Sequence, residues 1–247
     1  MAADCARSNW VQDLSWPAVA ERLACGALAL LPIGAASKEH GPHLPHGTDY
    51  FQAVHYATQV AVHLDALIWP VAAYGYYPAF TEYPGSVSLR RATFVALIDD
   101  IIDGIVAAGA SRIAILNTGI STTPLLVEVL AARTPGVMMK LVNCYDGPRL
   151  RAAIAAVEEQ AFGGHADEIE TSLMLAVAAG RVALDRAVAA LQPIERGRFN
   201  RLDPTAPNYS PSGVNGDPTR ATTAKGEQLL AALCADIVEA VQGLSGV

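Results

Sequence analysis

Three histidines and two carboxylates fall within twelve positions of this chain, in Lys38-Glu39-His40-Gly41-Pro42-His43-Leu44-Pro45-His46-Gly47-Thr48-Asp49. Neutral imidazole and carboxylate are the ligands that divalent zinc, manganese and iron take. Gly41, Pro42, Pro45 and Gly47 forbid a regular helix, so the loop can turn its polar side chains inward from irregular positions. A polar loop with solvated histidines is the bland alternative. Packing has little use for such crowding, however, and the cluster points to a metal or acid–base site.

A second cluster is Gly163-Gly164-His165-Ala166-Asp167-Glu168-Ile169-Glu170-Thr171-Ser172. Asp167 and Glu168 read as charges placed at the positive end of a following helix. His165 and Glu170 read differently. The double glycine lets the backbone bend and present His165 to a cleft, and Glu170 in the first helical turn can reach a metal. A third segment, Asn117-Thr118-Gly119-Ile120-Ser121-Thr122-Thr123, reads as a strand-to-helix turn with backbone N–H groups able to hold an oxyanion. Gly119-Ile120-Ser121 is half of a nucleophile elbow, but Thr123 stands where its second glycine belongs. The chain has no P-loop and no G-x-G-x-x-G, so nucleotide chemistry has no motif behind it.

These segments need a scaffold, and the apolar pattern supplies one. Residues 27–33, 66–70, 112–116 and 137–142 read as short buried strands. Residues 48–63, 91–108, 124–133, 148–159, 168–179 and 223–241 carry helical signals. Alternation of this kind predicts an α/β fold with a mainly parallel sheet and helices on both faces. In such sheets the site lies beyond the carboxyl ends of the strands, which puts the chemistry after Ile33, Trp69, Leu116 and Val142. Trp69, Phe80 and Tyr83 read as packing residues that can also wall a pocket. The turn-rich run 211–219 reads as a structural loop that can also line a cleft. We expect one domain over 1–247, with an N-terminal extension at 1–20 and a loop-rich segment at 192–220.

Composition narrows the function classes. Hydrophobic residues make up 52% and charged residues 17%, which excludes intrinsic disorder. Seventeen basic against 24 acidic side chains give a net charge of −7, which argues against nucleic acid and anionic membrane as partners. Neither a secretory leader nor a transmembrane run is expected, and a cytoplasmic protein follows. Cys5, Cys25, Cys144 and Cys234 are widely spaced and read as free thiols. The low charge favours a homo-oligomer.

With Ile33-Gly34, Glu39-His40-Gly41-Pro42-His43-Leu44-Pro45 and Asp49 in place, the chain resembles the creatininase (creatinine amidohydrolase) family. His165-Ala166, Glu170-Thr171-Ser172, Tyr83-Pro84-Gly85-Ser86 and Gly213-Val214-Asn215-Gly216-Asp217-Pro218-Thr219 fit the same pattern. The resemblance spans about residues 27–240. It implies a three-layer α/β/α sandwich, a hexamer, and a metal-dependent amidohydrolase acting on small cyclic or linear amides, commonly with two divalent ions. It also implies that His40 binds a metal, Asp49 bridges two, Glu39 and Glu170 add carboxylate ligands, and His165 transfers the proton. Two departures stand out. Lys38 holds the place, two before the His, where the family carries Glu. Asn117-Thr118-Gly119 lacks the family's turn histidine. One ion or two, of zinc, manganese or iron, are therefore expected.

The expected reaction is hydrolysis of a C–N amide bond by metal-activated water. Lys38 would supply charge stabilisation, with Gly119, Ser121 and Tyr83 lining the substrate pocket. A fold-retaining binding or scaffold protein and a serine hydrolase using Ser121 with His165 are the alternatives.

Overall fold

A computed structural model describes residues 8–133, 136–192, 194 and 199–244. Four strands, β1 (Leu28–Ile33), β2 (Ala66–Ile68), β3 (Arg112–Asn117) and β4 (Met138–Asn143), form one parallel sheet in the order β2-β1-β3-β4. Among the described residues seven α-helices flank it: α1 (Trp16–Ala24), α2 (Thr48–His63), α3 (Arg91–Ala107), α4 (Thr123–Ala131), α5 (Pro148–Val157), α6 (Glu168–Ala178) and α7 (Thr223–Gln242).

The strand residues alternate between two cores, as the two-residue period of a strand demands. Leu28, Leu30, Ile68, Ala114, Leu116 and Val142 pack with α2, α5, α6 and α7 on one face. Ala29, Leu31, Ile33, Leu67, Ile113 and Ile115 pack with α1, α3 and α4 on the other. The result is the three-layer α/β/α sandwich with a parallel sheet. All six residues of β1 are buried, whereas β4 is an edge strand with Met138 exposed.

The loop-rich segment adds a second tier over the strand ends. His165 pairs with Asn215, and Ala190 with Gly216, as isolated antiparallel bridges. The N-terminal part departs from a plain extension. Trp10 bridges to Ile68, and α1 buries Leu23 in the second core. Residues 1–7, which include Cys5, and residues 193 and 195–198 of the loop-rich segment lie outside the described residues. No helix among the described residues is long and apolar enough to cross a membrane.

Candidate active site

The site begins where β1 ends. Gly34 follows the strand, and a Cβ there would lie 2.4 Å from the backbone oxygen of Asp49. Only glycine lets the first turn of α2 press onto the strand end, and that contact carries Asp49 into the interior. The loop between them buries Lys38, Glu39, His40 and His43. Its cluster therefore faces inward. His46 is the exception, lying toward the surface with Nε2 3.0 Å from the Pro84 carbonyl.

The opposing wall comes from α6. Asp167 caps the helix, accepting from the N–H groups of Ile169 at 3.0 Å and Glu170 at 2.9 Å. Burial pushes its pKa up to about 6. Glu168 is fully buried, pairs with Lys225 and accepts from the N–H groups of Glu159 and Gln160. Both are structural, as the sequence suggests. Glu170 turns the other way. The Ala166 N–H donates to its Oε2 at 2.7 Å, leaving Oε1 toward His40. Ala166 itself has φ of +49°, a left-handed backbone that a non-glycine residue adopts only under constraint.

Three atoms converge between these walls. One donor atom each from His40, His165 and Glu170 lies within 4.8 Å of the other two. His40 Nδ1 is 2.9 Å from the Lys38 carbonyl. A carbonyl only accepts, so Nδ1 carries the ring proton and Nε2 points its lone pair inward. His165 Nε2 is likewise 2.9 Å from the Glu39 carbonyl, turning Nδ1 inward. Facing these nitrogens are Asp49 Oδ1, 3.3 Å from His40 Nε2, and Glu170, 3.6 Å from His40 Nε2 and 3.8 Å from His165 Nδ1. Lone pairs opposed to carboxylate oxygens repel unless a proton or a cation lies between them. Two imidazoles and a carboxylate are a donor set that suits a catalytic divalent ion, and the residues present fit one.

The remaining carboxylates back other groups. The Glu39 side chain stands outside the converging set. It accepts from the Gly41 N–H, and its Oε2 lies 3.2 Å from His165 Nε2. Glu39, expected among the metal ligands, lies here beside an imidazole and apart from the converging donors. Asp49 is drawn aside by Lys38, whose Nζ is 2.8 Å from Oδ2. Burial disfavours both charges, but each holds the other charged: Asp49 sits well below the ordinary carboxylate range and Lys38 above its ordinary value. Burial likewise opposes charge on Glu39 and His165, and their mutual attraction reverses it, lowering the acid and raising the base.

Phe80 and Phe199 cover His165, with ring centroids 4.5 and 5.4 Å from it. Lys38, Asp49, Gly119, Ser121, Thr122 and Tyr77 line a small cavity of about 10 Å³, room for about one water. Gly119 and Ser121 thus border the site, though their polar groups are engaged. The Gly119 N–H donates to Asn117 Oδ1 at 3.1 Å, and Ser121 Oγ donates to the Tyr76 carbonyl at 3.0 Å. This removes the expected oxyanion donor at Gly119. Ser121 and His165 share no hydrogen bond among the described residues, so the serine-hydrolase pairing is absent. Tyr83 lies outside this cavity; its hydroxyl donates to the Ser210 carbonyl at 2.6 Å and its ring packs with Phe80. A larger groove of about 380 Å³, between residues 188–192 with Ile194 and residues 209–212, contains none of the site residues.

His43 is a further buried histidine of this loop. Its Nε2 lies 2.8 Å from Thr171 Oγ1, tying the loop to α6, and its Nδ1 has no partner among the described residues. Burial pushes its pKa down to about 4. The unfolded chain takes up that proton near pH 6.5, so His43 contributes stability that is full above pH 6.5 and is lost as pH falls toward 4. Asp167 acts in the opposite sense, so the diagnostic is a difference. His43→Gln keeps a hydrogen-bonding side chain without the titration. Denaturant melts of the metal-free protein should show the variant gaining roughly 2 kcal/mol on wild type between pH 6.5 and 4.

Comparison with known proteins places this arrangement. The model for the family described as "Creatininase: Creatinine amidohydrolase" matches residues 12–241. The chain belongs to the creatininase family. It is 27% identical to the creatinine amidohydrolase of Pseudomonas putida, over 96% of this chain and 97% of that one. It is 28% identical to a mycofactocin precursor peptide peptidase of Mycolicibacterium smegmatis, over 86% of this chain and 84% of the relative. A zinc–zinc form of a creatininase variant superimposes with a TM-score of 0.78 at 26% identity, over 96% of this chain and 98% of that one.

Proposed function

We propose that this protein is a metal-dependent hydrolase that cleaves the C–N bond of a small cyclic or linear amide. The observation that carries the reading is the convergence of His40 Nε2, His165 Nδ1 and a Glu170 oxygen, each imidazole oriented by a backbone carbonyl on its other nitrogen. Those three residues would hold a divalent ion of the zinc, manganese or iron class. When bound, the ion would lower the pKa of a water from about 15.7 toward ~7 and polarise the amide carbonyl.

The chain's own groups supply the rest. Glu39 holds His165 in place, Glu170 is fixed by the Ala166 N–H, and Phe80 and Phe199 keep bulk water from the imidazole. Lys38 presents a fixed positive charge to the small cavity, where it can stabilise an amide oxygen as it gains negative charge. His165, placed by the sequence as the proton carrier, stands among the ligands in this reading. Family membership supports amide hydrolysis, and the named relatives include one for creatinine and one for a peptide. The same reading carries one domain, a cytoplasmic location and a homo-oligomer, by family resemblance a hexamer. The exposed Trp16, Leu191 and Leu202 support self-association.

One observation favours a second reading, a binding protein that keeps the fold without turnover: Asp49 already has a cation partner in Lys38. The test is turnover of a panel of cyclic and linear amides, creatinine and short peptides included, by protein loaded with zinc, manganese or iron. Turnover that a chelator abolishes and added ion restores is the expected result. Turnover indifferent to chelation contradicts the proposal, and ion binding with no turnover across the panel favours the second reading.

A further inference from the structure

We infer that Lys38 takes the place of a second metal ion, so that the chain holds one divalent ion and one built-in ammonium. This rests on the proposed function and adds the number of ions and the identity of the second cation. Asp49 has two oxygens with separate partners. Oδ1 lies 3.3 Å from His40 Nε2, on the side of the converging donors, and Oδ2 lies 2.8 Å from Lys38 Nζ. The two side chains are 10% and 2% exposed. A carboxylate buried this deeply must have a cation beside it. A carboxylate placed between two positive centres is the arrangement that joins two metal ions, and here the second centre is a lysine.

The surroundings of Nζ support the substitution. Among the described residues, one group of three or more His, Cys, Asp and Glu donors converges, and it lies on the His40 side. Around the cavity that Lys38 and Asp49 share, the polar side chains are the hydroxyls of Ser121, Thr122 and Tyr77. Ser121 donates to the Tyr76 carbonyl, Thr122 faces Asn117 Oδ1 and the Gly119 carbonyl as donor, and the Tyr77 oxygen accepts from the Gly75 N–H. A divalent ion needs about four ligands, commonly imidazole, thiolate or carboxylate. In that cavity an ion displacing Nζ would find the Asp49 carboxylate and no imidazole. The Lys38 stem is held in its course beside Phe80, with Nζ 5.3 Å from the ring centroid. The ammonium is covalently part of the chain, so no chelator removes it and no ion exchanges with it. The zinc–zinc form of the related creatininase variant provides the contrast.

The ion count of the intact protein tests this. Native mass spectrometry is run on the full chain, stripped and then titrated with zinc or manganese to saturation. One ion per chain at the plateau is expected. Two ions per chain would overturn the inference and leave the metal-dependent function standing. None at millimolar ion would overturn both.

Discussion

His40→Ala is expected to lose the bound ion and roughly 10³-fold in kcat/KM, about 4 kcal/mol of transition-state stabilisation. His40 is fully buried, and its inward nitrogen is the one that approaches both Asp49 and Glu170. Removing it takes away one donor, while Asp49 keeps Lys38 and Glu170 keeps the Ala166 N–H. The ion-free protein should therefore keep its fold while failing to reload, which separates this effect from unfolding. Metal analysis after dialysis against the ion, with kinetics on the best amide of the panel, checks it. Retention of a full ion complement by the variant would remove His40 from the donor set.

Gly213→Ala is expected to damage the site from outside the ligands. Gly213 has φ of +79°, and a Cβ there would sit 2.0 Å from Glu39 Oε1. The substitution is strained by backbone conformation and by contact together. Glu39 must move, and its contact with His165 goes with it. Stability should fall by about 2–4 kcal/mol. Catalysis should fall by roughly 10–100-fold, the usual effect of losing a group that orients a ligand. Urea melts and kcat/KM on the surviving folded fraction separate the two. A variant with wild-type activity per folded molecule would mean that Glu39 does not orient His165.

Much of the architecture was legible because it follows from strand and helix periods. The apolar run of β1, the glycine after it and the polar loop beyond it read directly as strand, close approach and site. Helix α1 was not read as an element: it spans nine residues, and its largest apolar side chain, Trp16, is exposed while Leu23 is the buried one. Within the site, residue types were readable but directions were not. Glu39 and His40 are neighbours in sequence, yet their side chains belong to different clusters, because Gly41 offers its N–H to one and Asp49 faces the other. The role of Lys38 was half-visible as an unexpected cation beside a ligand motif. Its bond to Asp49, eleven residues on in sequence, depends on the packing of α2 against Gly34, which spacing alone does not convey.

The central claim is that His40, His165 and Glu170 gather around one cation. An anomalous-difference map from crystals grown with manganese, recorded above and below the metal edge, tests it most directly. The account predicts a peak bonded to His40 Nε2, His165 Nδ1 and a Glu170 oxygen, with the Lys38 ammonium still against Asp49. No peak among those three side chains at saturating manganese would contradict it.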